Sequence, residues 1–196
     1  NASNSVLIGQ KLDFSLVENQ YGKTGISIIG KSPDSVKGKV YGTTSNDYDT
    51  KSYFTETGTY CVDINGNGKC DDNDTTILCV ENPKMEVSIK VGGKKVSSFA
   101  QNTAFTIDFS NKLNDSDCVS VKIKNPDGNI LTSNPSNPAQ KFANITVSEA
   151  EGMLITTDEN WKVGKYIMWI GTNSKCAQGL DYRSNNYTFE ILKPTI

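Results

Sequence analysis

Apolar residues along this chain recur at every second position over short stretches, and Gly, Asn, Asp or Pro interrupts each stretch after roughly eight to twelve residues. Such alternation puts one set of side chains on one face of a strand and the rest on the other. Met85-Glu-Val87-Ser-Ile89-Lys-Val91 follows it strictly, and Phe105, Ile107 and Phe109 repeat it. Leu12, Phe14 and Leu16 alternate with Asp13 and Ser15, which predicts a half-buried strand over 12–17. Gly92-Gly93 separates 85–91 from a return strand over 94–99, as in a two-residue hairpin. Asn125-Pro126-Asp127-Gly128 has the Pro and Gly placement of a tight turn after a strand over 118–123. Further strands are predicted over 6–8, 25–30, 37–41, 52–54, 59–62, 75–80, 142–147, 153–155, 165–170 and 187–192. Helix is expected only as a turn, at 148–152 or 157–161. Many short strands with frequent turn signals make the chain all-β and point to β-sandwiches. Trp161, Tyr166 and Trp169 are expected in core and corner positions, since aromatics dominate such cores.

Glu81-Asn82-Pro83-Lys84 breaks the pattern. Pro83 has no N–H to donate and biases Asn82 to an extended shape, which suits a short stiff linker. Two domains follow, 1–82 and 83–196, each long enough to bury a core.

Just before that break lies Asp63-Ile-Asn65-Gly-Asn67-Gly68-Lys69-Cys70-Asp71-Asp72-Asn73-Asp74. Side-chain oxygens fall at positions one, three, five, nine and twelve, a glycine at six and a backbone carbonyl at seven, the spacing with which one loop wraps a hard cation such as Ca²⁺. The predicted ligands are Asp63, Asn65, Asn67, the carbonyl of Lys69, Asp71 and Asp74. Two of the first three are neutral, and Asp74 is shorter than the usual closing Glu. Both features point to weak binding, roughly 10⁻⁴ to 10⁻³ M. Strand patterns rather than amphipathic helices flank the loop, so a helix–loop–helix hand is not expected and the role is structural. An unmetallated Asn-Gly turn is the competing reading.

Charge narrows the partners. Twenty Lys and Arg face 22 Asp and Glu, for a net charge of −2, which gives no argument for nucleic acid or an anionic membrane. No apolar run reaches the ~18 residues of a membrane-spanning helix. Histidine is absent, which excludes Ser-His-Asp and Cys-His catalysis and His-ligated zinc or haem within this chain. No paired carboxylates stand in a catalytic frame, so no enzymatic activity is expected.

Five N-x-S/T sequons occur, at Asn1, Asn73, Asn114, Asn144 and Asn186. With a start at Asn1-Ala2-Ser3 that reads as processed or trimmed, they favour an exported, glycosylated surface protein. Asn73 ranks lowest because it lies inside the cation loop. Export permits disulfides. Cys61 and Cys79 sit on the two strands joined by the loop and are the first pairing expected; Cys118 with Cys176 is the second. Cys70 is then the odd thiol, either free or linking copies of the chain. A three-thiolate metal site is disfavoured, because two equal nine-residue steps fit no zinc spacing.

Three passages together resemble the surface-layer-type modules of euryarchaeal cell-surface proteins, especially those of methanogens. They are Ser5-Val-Leu-Ile-Gly9-Gln-Lys-Leu12, then Gly58-Thr-Tyr-Cys-Val-Asp63 running into the Asn-Gly-Asn-Gly loop, and Trp161-Lys-Val-Gly-Lys-Tyr166 followed by Gly171-Thr-Asn173 and Gly179-Leu180-Asp181. The resemblance implies two Ig-like β-sandwich domains in tandem, in a subunit that self-assembles with copies of itself outside the cell. The five cysteines depart from that group. Strands at either terminus could augment a neighbour's sheet or pair within their own domain. The alternative function is an adhesin or carbohydrate-binding module, with Tyr48, Tyr53 or Trp169 as the stacking surface.

Overall fold

The computed structural model describes residues 2–8, 11–12, 14–44, 48–49, 54, 56–71, 74, 76–172 and 182–194. The chain divides into two compact units, built chiefly of Asn1–Pro83 and of Lys84–Ala177 with Asp181–Ile196. Both are predominantly β.

In the first unit, β1 (Ala2–Leu7), β7 (Thr76–Glu81), β6 (Gly58–Val62), β3 (Ser27–Ser32) and β4 (Val40–Thr43) form one sheet in that spatial order. β1 lies parallel to β7, and the other pairs are antiparallel. A short ladder joins β2 (Lys11–Leu12) to β5 (Tyr48–Asp49). Alternation works as expected on β6 and β7, where Tyr60, Val62, Leu78 and Val80 enter the core beside Ile28, Phe14 and Phe54. Cys61 points to the opposite face of β6 and is nevertheless buried.

The strand predicted over 12–17 is not there. α1 (Ser15–Tyr21) occupies most of it, closed by Gly22 in the left-handed conformation at φ 59°. Phe14 is buried at the N-cap, but Leu16 is 83 % exposed, so the apparent period-two face does not exist. Only Phe14 of that trio is seen to serve the core.

The second unit contains two larger sheets. One runs β10 (Ser98–Ala100), β19 (Tyr187–Leu192), β18 (Gly164–Thr172), β12 (Cys118–Lys124) and β13 (Ile130–Leu131), with β16 (Ile145–Thr146) also paired to β12. The other runs β17 (Leu154–Ile155), β11 (Phe105–Ser110), β8 (Glu86–Val91) and β9 (Lys94–Lys95). Between the two, Phe105 meets Phe99 at 5.2 Å and Phe189 at 5.5 Å, which makes the arrangement sandwich-like. β14 (Ser133–Asn134) and β15 (Asn137–Lys141) form a separate ribbon, and α2 (Val147–Ala150) is the helical turn expected near 148–152.

The Gly92-Gly93 hairpin forms as predicted, with φ of 58° and 81° and Val91 opposite Lys94. Its return strand differs from the expectation over 94–99. β9 ends after Lys95, and the chain then changes sheets to pair β10 in parallel with β19. Strands at both ends of the chain are paired within their own unit, β1 with β7 and β19 with β10 and β18.

Trp161 and Tyr166 are core residues, at 0 % and 1 % exposure. The Trp161 indole N–H donates to Oδ1 of the fully buried Asn134 at 2.8 Å. Tyr166 O–H donates to the Lys162 carbonyl, and in the first unit Tyr60 O–H donates to the Glu56 carbonyl at 2.7 Å. Each tyrosine therefore ties its strand to a carbonyl four residues upstream, the geometry of a tyrosine corner.

A candidate cation loop

β6 delivers the chain into the loop at Asp63, and β7 takes it away after 75. Residues 72, 73 and 75 lie outside the described set, so the sequon at Asn73 does too. Asp63 is buried at 4 % exposure, whereas Asn65 through Lys69 are exposed. Oδ2 of Asp63 accepts the backbone N–H of Gly68 at 2.9 Å, closing the turn from position one to position six. Gly68 stands at φ 76°, a conformation that a Cβ would oppose. Oδ1 of Asn65 accepts from Asn67 N–H at 3.2 Å, and Oδ1 of Asn67 from Lys69 N–H at 3.0 Å. Successive Asx turns of this kind wind the loop tightly.

Three carboxylates have distinct parts. Asp71 accepts from Nδ2 of Asn65 at 3.1 Å and from Nδ2 of Asn67. Asp74, also buried, uses Oδ1 to accept the N–H of Ile64 at 2.8 Å and Oδ2 to accept the N–H of Asp71 at 3.1 Å. It clasps the two ends of the loop, a part that its predicted role as closing ligand does not contain. Burial pushes its carboxyl above the ordinary range, and the charges of Asp71 and Asp63 add to this, while the two N–H bonds oppose it. Asp63 is the third. Its Oδ1 is buried and has no hydrogen-bond partner among the described residues. Asp63 also lines a cleft of about 330 Å³ together with Lys23, Gly25, Ser27 and Gly66.

An orphaned carboxylate oxygen in a buried position is costly unless a cation or donor satisfies it. Among the described residues, no group of three or more His, Cys, Asp and Glu side chains is placed to hold a metal ion. A cation at Asp63 would therefore depend on amide and carbonyl oxygens. Asn65 and Asn67 turn their N–H groups to Asp71 and their oxygens to backbone N–H groups, so an ion here would have to displace those bonds.

The covalent frame differs from the expected one. Cys61 is bonded to Cys70, with Cα atoms 5.8 Å apart, and Cys79 is free, the one free cysteine among the described residues. The ladder explains the correction: Cys61 stands opposite Ile77 and Cys79 opposite Thr59, so the expected Cys61–Cys79 pair are diagonal neighbours. Diagonal positions lie about 7 to 8 Å apart, beyond the ordinary reach of a disulfide. The loop instead doubles back to bring Cys70 over β3, its Sγ 3.3 Å from the Ile29 carbonyl oxygen. Cys118 is disulfide-bonded; Cys176 lies outside the described residues.

Of the remaining predicted sites, Asn114, Asn144 and Asn186 are exposed, and Asn1 falls outside the described residues. Among the candidate stacking aromatics, Trp169 is half-buried and carries the Arg183 guanidinium over its ring at 4.5 Å. The side chain of Tyr48 and the whole of Tyr53 lie outside the described set. No helix among the described residues is long and apolar enough to cross a membrane. No protein-family model and no curated protein matches this chain.

Proposed function

We propose that this is a structural cell-surface protein of the euryarchaeal surface-layer type, which self-assembles into an extracellular layer, sheath or filament. Calcium, disulfides and glycans reinforce it, and it carries out no reaction. The observation behind this reading is the loop over 63–74, where a disulfide and an unsatisfied buried aspartate restrain the same short connection. Residues committed to holding a loop still serve mechanical persistence rather than turnover. Asp63, Asn65, Asn67, Asp71 and the Lys69 carbonyl would hold the ion, with Asp74 clasping the loop. Two Ig-like sandwiches in tandem is the architecture we assign, supported by the paired tyrosine corners and the two facing sheets of the second unit. Exposure of Asn114, Asn144 and Asn186 leaves these sequons accessible to glycosylation.

Electron imaging of native material, with and without chelator and reductant, tests the assembly. Ordered sheets or threads that loosen under either treatment are expected. Dispersed monomers under every condition would overturn the proposal and favour the adhesin reading, against which the Arg183-covered face of Trp169 already weighs.

A further inference from the structure

We propose that a second cleft on the first unit binds a tetrahedral oxyanion, a phosphate or sulfate group. This cleft, about 470 Å³ in volume, lies between the 30–38 segment and the far side of the cation loop. Lys31 and Lys37 from the 30–38 segment and Lys69 from the loop line it, and among the described residues no carboxylate does. All three lysines are exposed, and no ion pair of theirs occurs among the described residues. Like charges around a concave wall repel one another and focus a positive potential into it.

Gly30, Gly38 and Gly68 also line it, their N–H groups donating to the Lys39 carbonyl, the Gly30 carbonyl and Asp63, so the lysines alone would address the anion. A lysine is a mobile point charge with three donors, so three of them can address the three free oxygens of a phosphate or sulfate monoester. The third lysine is also held in place. Its N–H donates to Asn67, and its neighbour Cys70 is bonded to Cys61 on β6. The volume leaves room for a small polar group behind the anion.

The inference does not depend on the cation loop being filled, and it is tested in chelator. The isotope-labelled protein is titrated at low salt with inorganic pyrophosphate and, separately, with a sulfated disaccharide, while backbone amide shifts are followed. Saturable shifts at Gly30, Gly38 and Gly68 are expected with one or both, and whichever saturates identifies the group. The triple variant K31Q/K37Q/K69Q should lose roughly tenfold or more in affinity, because it removes all three charges. Its unfolding midpoint should hold, since the three side chains are exposed. A K94Q/K95Q control in the second unit should bind as the parent does. Linear, unsaturable shifts with both probes, or undiminished affinity in the triple variant, would overturn the proposal.

Discussion

Replacing Cys61 and Cys70 together by Ser should destabilise the first unit and leave the second alone. The bridge spans a sequence separation of 9. Closing a loop of that length removes unfolded-state entropy equivalent to about 2.7 kcal/mol at room temperature. A domain of this size responds with roughly 4 to 8 °C per kcal/mol, so the first unit should melt roughly 10 to 20 °C lower. Both tryptophans, Trp161 and Trp169, lie in the second unit, so indole fluorescence is blind to this change. Far-UV circular dichroism should show the early transition while the fluorescence midpoint stays fixed. Mapping the parent protein checks the connectivity. Cleavage before aspartate places Cys61 in 49–62, Cys70 in 63–70 and Cys79 in 74–107, so each pairing has its own mass. A linked 49–62 and 74–107 pair, or a double variant that melts with the parent, would refute the reasoning.

Other perturbations probe each unit separately. Gly30→Ala would put a Cβ 1.8 Å from the Val36 carbonyl oxygen and disturb the Gly30–Lys39 and Gly38–Gly30 backbone bonds. A loss of about 3 to 5 kcal/mol from the first unit is expected, read by chemical denaturation; a loss under about 1 kcal/mol would show that the segment yields freely. Trp161→Phe removes a buried indole and its bond to Asn134, and should cost the second unit about 2 to 3 kcal/mol; a midpoint unchanged in thermal unfolding contradicts that. Burial, with the Asp127 charge adding, pushes the Tyr166 phenol up to about 12. The unfolded chain therefore releases this proton first as pH rises through the ordinary tyrosine value of 10, and the second unit should lose stability between pH 10 and about 12. Tyr166→Phe should make that loss shallower, Tyr182 and Tyr187 keeping rises of the same sign; an unaltered slope in alkaline denaturation would count against it.

How far the sequence could be read depends on how local the deciding physics is. The Gly92-Gly93 hairpin was legible because two adjacent glycines satisfy the positive φ that the turn demands. The sharp turn at Gly68 was likewise contained in the spacing of one short loop. Alternation misled at 12–17, where only Phe14 is seen to be buried; Gly22, which closes the helix in the left-handed conformation, is the local signal against a strand. The disulfide turned on register, a non-local quantity. Cys61 and Cys79 sit on neighbouring strands, yet a two-residue offset separates them, and no spacing along the chain reveals that offset. Nor did the sequence separate the roles of Asp63 and Asp74. Both occupy ligand positions, but Asp74 spends both oxygens on backbone N–H groups, whereas one oxygen of Asp63 is left over. The lysine cleft was equally hidden, since Lys31, Lys37 and Lys69 meet only through the fold.

That leftover oxygen of Asp63 makes calcium binding the most direct test. Thermal unfolding of the first unit should be followed by circular dichroism in EDTA, in Mg²⁺ and across a Ca²⁺ titration, for the parent and for Asp63→Asn. The substitution keeps an acceptor for Gly68 N–H while removing the charge. With a dissociation constant of roughly 10⁻⁴ to 10⁻³ M, about 10 mM Ca²⁺ should add about 1.4 to 2.7 kcal/mol to the parent. Saturable stabilisation of the first unit by Ca²⁺, smaller in Mg²⁺ and lost in Asp63→Asn, is the expected result. An unfolding midpoint that ignores Ca²⁺ throughout, or that moves equally in parent and variant, would contradict a calcium-held loop.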